Sequence, residues 1–168
     1  MLPGSQFPVE AYDNYMKQSV PRWLSTDDAI IAAYVALVDR VCPCVLLLHS
    51  QGGAFGFKVA EQRPDKVKAI VAVESATAGN LGKAAALKDT PVLMLFGDYV
   101  DQHSRWATFK KIDLAYADAV RAGGGTVDVI NLPDLGIKGN SHMLMQDKNN
   151  AEIADVIQKW LAGKGLVE

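Results

Sequence analysis

The run HSQGG at residues 49–53 places a serine between an apolar run and a helical pattern. The apolar run covers residues 45–48, and the helical pattern extends from about residue 52 to residue 62, where Arg63-Pro64 ends it. A sharp turn from strand to helix pushes a serine hydroxyl into a cleft, where it can act as a nucleophile. The alternative interpretation of Ser50 is a residue that only caps the following helix.

The residues after Ser50 add a second chemical property to this turn. Gly52 and Gly53 let the backbone bend tightly and let the helix pack close to the strand. The backbone N–H of Gln51 would then point at an oxyanion that forms beside Ser50, supported by the positive end of the helix dipole. The run departs from the pattern G-x-S-x-G at its first position, where Leu48 is bulkier than glycine.

A base for Ser50 is expected in the loop between the last predicted strand and the last predicted helix. His142 lies there, in the run GNSH at residues 139–142. In the chain order serine, acid, histidine, the base comes last. His49 lies inside the turn itself and His103 lies in a charged loop. We therefore predict that His142 is the general base, against the alternative of a plain surface histidine.

Two carboxylates at strand ends are candidates for the third member of a triad. Glu74 follows the apolar run 67–73, and Asp98 follows the run 91–96, with Asp101 close behind it. Such an acid holds the imidazole tautomer and stabilises the imidazolium. Both strand ends would face the same cleft, so position alone does not separate Glu74 from Asp98. Each is also open to interpretation as a solvated loop acid.

The elements that must position these residues alternate along the chain. Ser25 with Asp28 is placed to cap the first helix, and Asn149 with Glu152 to cap the last, which Gly163 would end. Apolar runs predict strands at residues 45–48, 67–73, 91–96 and 127–132. Helical spacing covers residues 27–39, 52–62, 105–122 and 150–162, with a short helix at 82–87.

This alternation predicts an α/β fold, with a parallel sheet flanked by helices on both faces. In such sheets the chemistry gathers at the carboxyl ends of the strands. Ser50, Glu74 and Asp98 all follow a predicted strand directly, as that rule requires.

The whole chain has the composition of a globular domain. It has 168 residues, 49% of them hydrophobic, and a net charge of −2 without a basic cluster. This balance argues against nucleic acid or an anionic membrane as the main partner. No uncharged apolar stretch approaches the roughly 18 residues of a spanning helix. No signal peptide is predicted, because no basic region precedes an apolar one at the start. The compartment is left open.

The two cysteines, Cys42 and Cys44, flank a proline just before the first predicted strand. The favoured interpretation is two free buried thiols, because an apolar strand follows. Pairing with other cysteines and a redox pair are the alternatives. With only two cysteines and three histidines, a structural zinc site is not expected.

Four segments together resemble a subgroup of the α/β-hydrolase esterases: LLLHSQGG, IVAVES, PVLMLFGDYVDQHSRW and LGIKGNSHMLMQDKNN. In this subgroup a histidine commonly precedes the serine of the strand-to-helix turn, which is called the nucleophile elbow. The acid is a glutamate at the end of the strand that follows this elbow. The resemblance therefore favours Glu74 over Asp98. It implies a carboxylic-ester hydrolase that acts on a small-molecule ester through an acyl-enzyme, with no metal or organic cofactor.

The resemblance also predicts that part of the usual fold is missing at the N-terminal side. The elbow would follow the fifth of about eight strands, yet only about 44 residues precede it here. The loop that gives the second oxyanion-hole N–H would be missing with those strands. The first strand would keep an open edge, for which we expect a homo-oligomer or a companion chain. The alternative function is an incomplete hydrolase half that binds a ligand or partner with little turnover alone.

Within this frame, residues 1–24 are expected to be an irregular segment that serves as a lid or contacts a partner, and residues 25–168 the hydrolase core. Aromatic and methionine side chains are candidates for an acyl pocket, with core packing as the alternative. Trp106 and Met143 are the predicted substrate-binding residues, and the other candidates are Phe7, Tyr12, Tyr15, Met16, Trp23 and Met145. An acyltransferase or a thioesterase would use the same residues.

Overall fold

The computed structural model describes residues 2–21, 23 and 25–167. Short 3₁₀ helices occur at Val9–Ala11, Leu81–Leu87, Val100–Gln102, Leu132–Leu135 and Leu144–Gln146. The strands are β1 (Cys44–His49), β2 (Val67–Val73), β3 (Val92–Phe96) and β4 (Val127–Asn131). The α-helices are α1 (Tyr12–Met16), α2 (Asp27–Val41), α3 (Gln51–Gln62), α4 (Ser104–Ala122) and α5 (Asn150–Gly163).

The four strands form one parallel sheet in the order β1-β2-β3-β4. Residues of β2 and β3 are almost all buried, because helices cover both faces of the sheet. The predicted α/β class and the parallel sheet between helices are therefore confirmed.

Each face of the sheet has its own hydrophobic core, and neighbouring residues of one strand enter different cores. On β2, Ile70 points to the core that α3 and α4 cover, with Phe57 and Tyr116. The next residue, Val71, points to the core on the opposite face, which contains Ile153 of α5. This two-residue period fixes the strand register. Because the four strands are parallel, all four carboxyl ends reach one edge of the sheet.

The N-terminal segment, expected to be irregular, contains one short 3₁₀ helix and the five-residue helix α1. Its first part lies across the loop that carries His142. The Gln6 N–H donates to the Gly139 carbonyl over 2.7 Å, and the Gln6 carbonyl accepts from the Lys148 N–H over 3.0 Å. Met1, Arg22 and Leu24 of this segment, and Glu168 of the expected core, lie outside the described residues.

The expectation of free thiols at Cys42 and Cys44 is wrong, because the two form a disulfide with each other. They are only half-buried, at the junction between α2 and β1. One intervening residue, Pro43, turns the chain enough to bring the two side chains together. Residue spacing alone did not reveal that turn.

The expected helix caps also differ in the structure. Thr26, and not Ser25, precedes α2, and its hydroxyl donates to the Trp23 carbonyl instead of capping the helix. Asn149 precedes α5 without capping it, because its side chain is bonded to Asn140. No helix within the described part of the chain is long and apolar enough to cross a membrane.

Candidate active site

Ser50 occupies the turn between β1 and α3 in a conformation that few residues other than glycine adopt. Its φ is 51° and its ψ is −124°. Three backbone hydrogen bonds hold it there: its N–H donates to the Val73 carbonyl, and its carbonyl accepts from Gly53 and Ala76. A strained backbone persists only where the surroundings determine it in this way, and such residues cluster at functional sites.

Two glycines of α3 make the close approach of helix and strand possible. A Cβ at Gly53 would overlap the Ser75 side chain, and a Cβ at Gly56 would overlap Leu48. The space left by Gly56 therefore holds Leu48, the residue that departs from the G-x-S-x-G pattern. The bulk of Leu48 is accommodated by α3 and not by the turn.

Side chains from three separate segments meet beside this turn. His142 Nε2 lies 2.8 Å from Ser50 Oγ, and His142 Nδ1 lies 2.7 Å from Glu74 Oε2. Glu74 is only 4% exposed and has a positive φ of 41°. Its second carboxylate oxygen accepts a hydrogen bond of 2.9 Å from the Gly97 N–H. The structure thus brings together Ser50, His142 and Glu74 in the order that proton transfer needs.

Asp98 lies close by but is bonded to the loop and not to the imidazole. Its oxygens accept from the Gly139 N–H over 2.6 Å and from the Asn140 N–H over 3.1 Å. Asp101 lies farther out and pairs with Lys110. Of the candidate acids, Glu74 is the one in contact with His142, and Asp98 anchors the chain that carries His142.

Asp147 is a second anchor of this loop, and the sequence did not single it out. It is buried and accepts hydrogen bonds from the Ser141 N–H over 2.8 Å and from the Ser141 hydroxyl over 2.7 Å. A third bond, of 3.3 Å, comes from the Asn140 side chain. The one available signal in the sequence was the cluster of polar residues around His142. Such residues cannot form a hydrophobic core, so they are expected to form hydrogen bonds with one another.

His49 holds the backbone of His142 in place. Its Nε2 lies 2.7 Å from the His142 carbonyl, so this nitrogen carries the proton and donates. Burial lowers the pKa of His49, and the hydrogen bond to the His142 carbonyl offsets part of this effect. A lowered pKa keeps the ring neutral, which suits a group that lies against a second imidazole. His49 therefore positions His142 through the His142 carbonyl.

Trp106, a predicted substrate-binding residue, lies face to face on the His142 ring. The ring centroids are 3.8 Å apart and the planes are inclined by 29°. Both residues line a cavity of about 230 Å³ together with Tyr99 and His103. Met143 is half-buried and lines none of the cavities described for residues 2–21, 23 and 25–167. Its part in substrate binding stays a prediction.

Gln51, the predicted oxyanion donor, is the first residue of α3 and directly follows Ser50. The N-terminal N–H groups of a helix have no partner within the helix, and the helix dipole favours negative charge beside them. Within the described ranges of the chain, no three His, Cys, Asp or Glu side chains converge as ligands of a metal ion.

Among the proteins that resemble this chain are two solved structures and one curated protein. The atomic-resolution structure of a bacterial esterase has a TM-score of 0.89 and 38% identity, over 97% of this chain and 52% of the esterase. A predicted CIB-like hydrolase from Thermoplasma acidophilum has a TM-score of 0.52 and 18% identity, over 82% of this chain and 59% of that one. At that identity the likeness shows the fold alone.

A probable secreted lipase, phiG, from a fungus (Fungal sp., strain ATCC 74256) is 25% identical over 81% of this chain and 50% of the lipase. No protein-family model matches the chain. The chain thus spans about half the length of the esterase and of the lipase that it matches.

Proposed function

Starting from a chain that is an α/β hydrolase by its fold and by its likeness to an esterase, we propose that it is a carboxylic-ester hydrolase. The observation that carries the proposal is the continuous contact from Ser50 through His142 to Glu74, with distances of 2.8 Å and 2.7 Å. A hydroxyl, an imidazole and a buried carboxylate in this order are what acyl transfer to serine requires.

In the first half of the reaction, Ser50 Oγ forms a bond to the ester carbonyl carbon while its proton passes to His142 Nε2. Glu74, bonded to Nδ1, stabilises the imidazolium that results. The tetrahedral intermediate then breaks its bond to the alcohol oxygen, which leaves with the proton from His142. The acyl group remains as an ester on Ser50.

In the second half, a water molecule gives its proton to His142 and attacks the acyl carbon. Collapse of this intermediate releases the carboxylic acid and returns the proton to Ser50 Oγ. These steps use no metal or organic cofactor, because Ser50 supplies the nucleophile and His142 carries the proton. The proposed substrate is a small-molecule ester, with Trp106 and Met143 proposed to contact it.

The Gln51 N–H is proposed to stabilise the negative oxygen of both intermediates. It directly follows the nucleophile and begins α3, so the dipole of a twelve-residue helix supports it. An oxyanion hole normally offers more than one donor, and losing one costs roughly 100- to 1000-fold in rate.

Hydrolysis of p-nitrophenyl acetate tests the proposal, with Ser50→Ala as the inactive variant. Ser19→Ala is the matched control, because Ser19 is exposed and lies outside the site. A fluorophosphonate should label Ser50, and mass spectrometry of the peptide should locate the adduct. Turnover that survives in Ser50→Ala, or a label on another residue, would contradict the proposal.

A second candidate function is favoured by the length comparison. A chain that spans about half of its relatives could bind a ligand or partner with little turnover of its own. The two candidates differ in one measurement. The hydrolase gives a rate that Ser50→Ala removes, whereas a binding half gives the same background rate with either residue.

A further inference from the structure

Residues 75–80, the connecting segment, join Glu74 to the 3₁₀ helix Leu81–Leu87 without a helix or strand of their own. One end of this segment contacts the backbone of the nucleophile, because the Ala76 N–H donates to the Ser50 carbonyl over 2.9 Å. The other two backbone bonds of Ser50 go to β2 and to the first turn of α3. The turn at Ser50 is therefore held in part by a segment that has no regular structure.

The far end of the connecting segment is held by Glu61, a buried residue of α3. Its Oε1 accepts a hydrogen bond of 2.6 Å from the Asn80 N–H and one of 2.8 Å from the Tyr116 hydroxyl. The close approach depends on Gly79, because a Cβ there would overlap Glu61 Oε1. Tyr116 of α4 is also buried, so the bond between the two side chains is shielded from water.

The helix α4 also holds the middle of the connecting segment. The Ala78 backbone is hydrogen-bonded to the Asp113 carboxyl, and both residues are buried. Within the segment, the Ser75 hydroxyl donates to the Thr77 carbonyl over 2.8 Å. Because the segment has no ladder of backbone hydrogen bonds, its position is set by these contacts with α3 and α4.

Glu61 lies far from the reacting atoms. Ser50 directly precedes α3, and Glu61 is the last residue but one of this helix. At 1.5 Å of rise per residue, the two are roughly 16 Å apart along the helix axis. Any influence of Glu61 on Ser50 must therefore pass through the connecting segment or through α3 itself.

We propose that Glu61 and Tyr116 are positioning residues, which hold the connecting segment so that Ala76 keeps the strained turn of Ser50 in place. A backbone with a positive φ persists only while its surroundings determine it. A shift of about 1 Å at a reacting group, caused from far away, costs about 100-fold in rate. The effect on catalysis rests on the proposed function, whereas the hold on the segment does not.

Turnover of p-nitrophenyl acetate by three variants tests the effect on catalysis. Glu61→Leu removes the acceptor of both hydrogen bonds and should lower kcat about 10- to 100-fold, with KM changed less than about 2-fold. Tyr116→Phe removes one of the two bonds from a side chain of the same shape, and should lower kcat by less. Glu61→Gln keeps an oxygen that can accept from both donors, so its kcat should stay within about 3-fold of the unchanged chain.

Val120→Ala is the matched control for a general loss of core packing. Val120 is buried near the end of α4, beside Gly125, and the variant removes methyl groups from the core on the same face of the sheet. It should destabilise the chain and leave kcat unchanged. Tyr116→Phe carries the comparison with this control if Glu61→Leu does not fold.

Amide hydrogen exchange of Ala76, followed by NMR, tests the hold on the segment without any substrate. The Ala76 N–H should exchange at least about 10-fold faster in Glu61→Leu than in Val120→Ala, because the segment opens locally. Equal exchange in these two variants would overturn the proposal. So would a kcat of Glu61→Leu equal to that of the unchanged chain, or an equal loss of kcat in Glu61→Gln or Val120→Ala.

The proposed function can fail separately from the positioning role. If the unchanged chain neither hydrolyses the ester nor reacts with a fluorophosphonate at Ser50, the proposed function is refuted. The exchange of Ala76 then decides alone whether Glu61 and Tyr116 hold the connecting segment.

Discussion

Ser50 and Glu74 share a feature at the scale of single residues. Both have a positive φ, and among the described residues they are the two that do so without being glycine. Each directly follows a strand, and β1 and β2 are neighbours in the sheet. The two sharp turns project a hydroxyl and a carboxylate to the same side, where His142 lies between them. The two strained turns thus place both side chains beside the same imidazole.

The choice between Glu74 and Asp98 leads to the first prediction. Glu74→Gln should lower kcat by roughly 10³- to 10⁴-fold, because an amide cannot stabilise the imidazolium and favours the wrong tautomer. Asp98→Asn should lower kcat less than 10-fold, since Asp98 bonds the loop and not the ring. The measurement is kcat for p-nitrophenyl acetate at saturation. A larger loss in Asp98→Asn would make Asp98 the acid.

Asp113 supports a prediction on pH. It is fully buried in α4, and this burial raises the pKa of Asp113 to about 8. Its pKa in the unfolded chain is near 3.8, the ordinary value of an aspartate side chain. Between these values the folded state keeps a proton that the unfolded state has lost. The contribution of Asp113 to the stability of the protein is therefore highest below about pH 4 and falls as the pH rises to about 8.

Asp113→Asn should remove that part of the pH dependence, because an amide stays neutral in both states. Urea denaturation at pH 5, 6, 7 and 8 measures the free energy of unfolding, and the variant should lose less of it across this range. Asp118→Asn, exposed on the same helix, is the control. Parallel curves for the chain and for Asp113→Asn would show that Asp113 is not buried as described.

At the scale of elements, the packing of α3 on the sheet depends on missing side chains. Gly53→Ala should reduce the free energy of unfolding by about 1–3 kcal/mol, because the new methyl group overlaps Ser75. Gly52→Ala is the matched control, since nothing lies within 4 Å of a Cβ there. That variant should be neutral or gain about 0.5–1 kcal/mol from helix propensity. Equal effects in denaturation experiments would contradict the close approach.

The strands and long helices were predictable from the sequence, because they follow from apolar periodicity. The runs at residues 67–73 and 91–96 enter the sheet almost as predicted. Caps were not predictable, since Thr26 and Asn149 found other hydrogen-bond partners in the folded chain. Chain order was enough to predict that Ser50 and His142 meet. It could not separate Glu74 from Asp98, because only the folded chain shows that Glu74 contacts the imidazole and Asp98 the loop backbone.

Trp106 and the cysteine pair show the same limit on what a sequence predicts. The spacing of Trp106 places it on α4 but does not say that its ring covers His142. The spacing of Cys42 and Cys44 does not fix the turn at Pro43 that joins them. Contacts between segments distant in sequence, and turns at single residues, are set by the folded chain as a whole.

At the scale of the whole molecule, the disulfide contributes little to stability. It closes a loop of about three residues, and loop-closure entropy gives roughly 1–2 kcal/mol for so short a loop. The double variant Cys42→Ser with Cys44→Ser should therefore fold and lose no more than that. Thermal denaturation with and without a reducing agent measures the effect. A loss of more than about 4 kcal/mol would assign the pair a larger structural part.

The stack of Trp106 on His142 has an optical consequence. An imidazolium held against an indole ring attracts it and also quenches its fluorescence, whereas a neutral imidazole quenches far less. Trp23 is exposed and Trp160 is bonded to Asp128, so neither lies on a histidine. With Trp23 and Trp160 replaced by phenylalanine, the remaining emission would report the charge on His142 continuously. The protonation of the base could then be followed in stopped flow without a coloured substrate.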